Sequence, residues 1–160
     1  RSSTYHNVYH RMKALEKRID KYSHFRAMNW IVLTLLWLHL LVFFLIPTQY
    51  IASPLFKRTF FHKVFNYGNM SLVTQCILLV IEAAMFTGLH LYGIRAFNMQ
   101  LASAMKTLTF THILIFLCGC VTLSYWNIIL SGYFGVVAYK LIHMFNDLDS
   151  LNIALIWCLR

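Results

Sequence analysis

Ionisable side chains interrupt stretches of this chain that are otherwise apolar: His39, Glu82, His90, Arg95 and His112. A charge inside hydrocarbon costs roughly 2.5–3.5 kcal/mol on insertion scales, so each such residue raises the question of what it does there. A carboxyl at Glu82 is expected to be protonated or paired with a cation, and serves either a proton or quinone contact or a hydrogen bond to a partner helix. Neutral buried imidazoles ligate iron in b-type haem, so either of His90 and His112 is a candidate cofactor-binding residue. The alternative for both is ordinary hydrogen bonding, and His39 reads as structural. Arg95, Arg26 and Ser23 form a second group. A guanidinium beside a hydroxyl at headgroup depth suits a quinone carbonyl or a haem propionate, and it equally suits anchoring to lipid phosphate.

These residues are placed by long apolar segments. Only 12% of the 160 residues are charged and 59% are hydrophobic, against about 25% charged in soluble domains. Met28 to Pro47 holds no Lys, Arg, Asp or Glu, and neither does the stretch from Thr107 to Tyr139. A span needs ~20 apolar residues. The expected fold is an all-α integral membrane bundle of three transmembrane helices, with a fourth left open, preceded by an amphipathic N-terminal helix. The spans are placed at about Met28–Ile46, ended by Pro47, then Ser71–Phe97 and Leu108–Trp126. A polar and aromatic connection, Thr48 to Gly68, separates the first two. Residues 1–27 form a basic N-terminal segment, 28–126 the membrane domain, and 127–160 a C-terminal segment that is interfacial or a fourth span. Within it, Asn127 to Phe145 either extends the third span and turns at Ser131-Gly132 or forms a short fourth span, with Lys140 and His143 favouring an interfacial helix; Asn146-Asp147-Leu148-Asp149 reads as a surface turn, and Leu151–Trp157 as an apolar tail too short to cross.

The net charge of +9 is concentrated at one end. Seven of the 14 Lys and Arg precede the first span: Arg1, Arg11, Lys13, Lys17, Arg18, Lys21 and Arg26. A basic block beside a span follows the positive-inside rule and the pull of anionic headgroups, cardiolipin among them, and argues against nucleic acid as the partner. The N-terminus is expected on the inner side. Between Arg11 and Arg26, Met12, Leu15, Ile19 and Tyr22 recur at helical spacing, giving a stripe that lies on a membrane surface or docks on a partner. The opening Arg1-Ser2-Ser3 is compatible with a trimmed organelle transit peptide. The cysteines, Cys76, Cys118, Cys120 and Cys158, read as small buried hydrophobes. Cys118 and Cys120 point about 200° apart on a helix and cannot share a ligand.

The run His90-Leu91-Tyr92-Gly93-Ile94-Arg95-Ala96-Phe97-Asn98-Met99-Gln100 resembles the second-helix signature of the large cytochrome b subunit of succinate dehydrogenase (complex II). Ser23-His24-Phe25-Arg26 resembles that family's entry motif before the first span. The resemblance covers about Ser23 to Trp126. The family's haem His lies four residues before the Gly rather than three, its Arg is followed by His where Ala96 stands, and an Asp closes the segment where Gln100 stands. The resemblance implies a membrane anchor in the mitochondrial or a bacterial-type inner membrane, with the N-terminus on the matrix or inner side. Ser23, Arg26 and Arg95 would serve as quinone-side or propionate residues, and His90 as haem ligand. The implied cofactors are ubiquinone and haem b; the implied partners are a second small anchor subunit and the iron–sulfur and flavoprotein subunits that oxidise succinate. Two other readings stand beside it: a structural supernumerary subunit of another respiratory complex, without cofactor, and a small transporter built around Glu82.

Overall fold

A computed structural model describes residues 2–46 and 70–160, and these are all helix and short connections. Five helices occur among the described residues: α1 (Ser2–Asp20), α2 (Ser23–Leu45), α3 (Leu72–Asn98), α4 (Ala102–Thr122) and α5 (Tyr125–Leu159). The last four are long and apolar enough to cross a membrane. The connection Thr48–Gly68, and Pro47 before it, lie outside the described residues; α2 closes with Ile46 as its C-cap, whose N–H bonds the Val42 carbonyl.

The bundle is apolar on its outside. Leu35, Phe44, Val73, Phe110 and Val121 are all more than half exposed, which is what lipid-facing positions look like when no water is present to penalise them. Buried side chains are instead those that let helices approach. α4 and α5 pack along most of their shared length, and α2 packs on α3. Gly119 of α4 sits where an added Cβ would meet Ile128 and Asn127 at 3.2–3.3 Å. Ser131 and Gly135, one turn apart on α5, are both buried, and Gly135 faces His112 of α4. Small residues at this spacing are the usual means of close helix contact in lipid.

The chain runs up and down between two ends of the bundle. The end carrying Arg26, Arg95 and Lys106 is here the basic end. α2 leaves it, α3 returns to it, α4 leaves again and α5 returns. Both short connections reverse the chain through a left-handed residue that is not glycine, Gln100 (φ 53°) and Leu123 (φ 55°). Each is followed by a bond that closes the preceding helix: Leu101 N–H to the Ala96 carbonyl, 3.1 Å, and Ser124 N–H to the Gly119 carbonyl, 2.9 Å. This 6→1 pattern is the Schellman closure.

Three expectations about the C-terminal segment are corrected. The third span ends at Thr122, not Trp126; Tyr125 and Trp126 open α5. Residues 125–159 form one unbroken helix, so the fourth membrane-length helix exists and neither Ser131-Gly132 nor Asn146–Asp149 is a turn. Gly132 lies against Phe116, so tertiary packing rather than turn chemistry explains it. Leu151–Trp157 is the end of the same helix, not a separate tail.

At 1.5 Å per residue, α5 is ~52 Å long, against a hydrocarbon core of ~30 Å. Its C-terminal part therefore continues past the basic end, and α1 packs against it. Leu15 and Ile19 are buried, with Met12 and Tyr22 partly so, in one cluster with Leu141, Phe145, Leu148 and Leu151. The stripe read from the sequence is thus covered by this chain's own last helix. Beyond the hydrocarbon this pairing is driven by water, at roughly 1.5–3 kcal/mol per buried Leu or Ile.

Candidate functional site

α2, α3, α4 and α5 line an open-sided cavity of about 560 Å³ whose lining includes His39, Glu82, His90 and His112, with Asn127 and Ser131 among the other polar contributors. The rest is apolar, chiefly Leu35, Leu36, Leu79, Phe86 and Phe134. Ligand pockets are typically 300–1,000 Å³ with a few convergent polar groups in an apolar wall.

His90 is fixed most closely. Asn29, 1% exposed on α2, donates its amide Nδ2 to the Phe25 carbonyl at 2.9 Å. Its Oδ1 is therefore turned to His90 Nδ1, 2.8 Å away. An amide oxygen only accepts, so His90 carries its proton on Nδ1 and keeps the lone pair on Nε2. A neighbour that holds one ring nitrogen and leaves the other free is how ligating histidines are oriented. Gly93, one turn below, makes the space: a Cβ there would stand 3.1 Å from Asn29 Oδ1.

His112 of α4 is 3% exposed. Its Nδ1 is buried with no hydrogen-bond partner among the described residues. An unmet polar atom of this kind costs about 1–3 kcal/mol. The two imidazole centroids lie 6.3 Å apart. Phe134, 1% exposed, is 5.1 Å from the first ring and 5.3 Å from the second. The three rings make a nearly equilateral triangle, so Phe134 fills the space beside the line joining the two histidines. A porphyrin held by both imidazoles needs that space, and haem ligated by His90 and His112 together does not fit. Of the two, His90, with Nδ1 held by Asn29, is the imidazole whose Nε2 lone pair would hold such a group. His112 contributes to the wall of the cavity, while its Nδ1 is turned into the protein.

Glu82, 7% exposed, lies in the same cavity wall as His39. Gln75 of α3 does not line the cavity; its amide donates to the Met70 carbonyl at 3.2 Å.

The arginines stand apart from this cavity. Arg26 donates to Asn98 Oδ1 at 3.0 Å, with its guanidinium 5.8 Å from the Phe97 ring centroid, and so ties the ends of α2 and α3. Arg95 Nε contacts Met99 Sδ at 3.5 Å. Arg26, Arg95 and Ser23 are all exposed at the basic end, outside the cavity wall. The structure brings His90 and His112 together and leaves Ser23, Arg26 and Arg95 outside their cavity. Asn29 was passed over. Its signal was available: one amide in an uncharged run, costly there unless bonded. All four cysteines are free.

Comparison with known protein families, characterised proteins and solved structures finds no match to this chain.

Proposed function

We propose that this chain is a membrane-anchor subunit of succinate:ubiquinone oxidoreductase, contributing the wall of a quinone site and a histidine that would hold a haem b. The observation that carries this reading is the pair of buried histidines in one lipid-depth cavity, His90 held by Asn29 in its Nε2-ligating tautomer and His112 with an unmet Nδ1. The resemblance around Gly93-Ile94-Arg95 supports it, because Gly93 is the residue that gives Asn29 access to His90. Haem, when bound, supplies one-electron storage. His90 would hold it, and a second anchor subunit would give the other ligand. His112 would line the quinone site beside His90. Arg26 and Arg95, at the headgroup end, suit the iron–sulfur and flavoprotein partners or anionic lipid. The membrane is the mitochondrial or a bacterial-type inner membrane, with the basic end on the matrix or inner side.

The test is purification of the native complex, with mass spectrometry of its subunits and a reduced-minus-oxidised visible spectrum. The expected result is a flavoprotein and an iron–sulfur protein in the complex and a b-type band that His90→Ala abolishes. A second reading has its own support. Asn29 already satisfies His90, and Phe134 packs on both imidazoles, as in a cofactor-free core. It makes the chain a structural supernumerary subunit of another respiratory complex. Co-purification with a different complex, with no b-type band, would establish that reading and remove the first.

A further inference from the structure

Far from the cavity, near the start of α1, His6 and His10 lie on the face opposite the packed stripe. At 100° per residue they fall about 170° from the Val8–Met12–Leu15–Ile19 line. Both are exposed. Their Nε2 atoms are 2.8 Å apart and their rings stand edge to face, with centroids 4.2 Å apart and planes at 88°. Two imidazole nitrogens this close share a single proton between them, one donating and one accepting.

A metal ion can take the place of that proton. Nitrogens bound at ~2.0 Å to one ion and at right angles to each other are ~2.8 Å apart, whereas tetrahedral ligands are spread to ~3.3 Å. The geometry points to a binding site for a tetragonal divalent ion, Cu²⁺ or Ni²⁺, held by His6 and His10 at adjacent equatorial positions with water filling the rest. The spacing suits it, since residues four apart on a helix are neighbours on its surface. Lys13 is the nearest cation on that face, and its ammonium lies over the Tyr9 ring, 5.1 Å from the centroid. The aromatic face takes part of that charge and lessens its repulsion of a bound ion. The site rests on α1 alone and stands whether or not the cavity binds quinone.

The experiment uses the full chain in detergent, stripped of metal, with Cu²⁺ as the probe, followed by equilibrium dialysis and electron paramagnetic resonance. The expected result is a tetragonal signal with two equatorial nitrogens. His10→Ala should weaken that binding about tenfold or more, and His24→Ala, at an exposed histidine on α2, should leave it unchanged. Alanine favours helix more than histidine does, so α1 remains folded in the variant, and circular dichroism verifies it. A two-nitrogen signal that survives His10→Ala at the same affinity overturns the site, as does the absence of any such signal from the parent chain.

Discussion

At the residue scale the molecule turns on three neighbours, Asn29, His90 and Gly93. Asn29→Ala strips His90 Nδ1–H of its acceptor in a dry setting, and should cost about 1–3 kcal/mol, measured as a fall in thermal stability in detergent. Gly93→Ala sets a Cβ 3.1 Å from an amide held at both ends by hydrogen bonds, so it too should destabilise. The two effects should not add. With Asn29 already Ala the obstruction is gone, and Gly93→Ala should instead stabilise by ~0.5–1 kcal/mol through helix propensity. A double variant as unstable as the sum of the singles would disprove the contact. His90 and His112 were legible as a pair because imidazoles are conspicuous in an apolar run. Asn29 was not, because attention to ionisable groups misses a neutral amide with the same need for a partner.

At the scale of elements, α4 and α5 show what period and punctuation can mislead about. Ser131, Gly132 and the Asn-Asp-Leu-Asp run look like breaks in a sequence. Here Ser131 is buried within the helix and Gly132 faces Phe116 of α4, so residues that end helices in water sit inside a continuous, packed one. The true break, Leu123-Ser124, has no glycine to announce it. A left-handed non-glycine residue carries roughly 1–2 kcal/mol of strain. Leu123→Gly should therefore raise the unfolding midpoint, by about 1 kcal/mol in stability terms, and Gln100→Gly similarly. Unchanged or lowered midpoints would show that the Leu123 side chain contributes more than its backbone costs. By contrast the α1 stripe was readable from spacing alone, since Met12, Leu15, Ile19 and Tyr22 meet a partner of the same period.

At the scale of the whole molecule, four crossings bring the start of α2 and the end of α5 to one side. Labelling of the described ends, at Ser3 and Ser150 converted to cysteine, should proceed from the same face of sealed vesicles, and the chain should resist carbonate extraction. Opposite-face labelling would refute four crossings. Ile19→Ala, at a site 3% exposed, should cost about 2–5 kcal/mol of α1 docking. Hydrogen exchange or limited proteolysis would register it in α1 and the distal half of α5, with the spans undisturbed. What pairs there is the first described helix with the last. The clasp cannot form while the polypeptide is still being threaded: until Tyr125 onward has crossed and re-emerged, Leu15 and Ile19 have nothing to cover them. Closure of that clasp thus marks a chain whose insertion is finished, and a molecule interrupted short of α5 carries a bare oily strip on its aqueous side for any folding helper or protease to find.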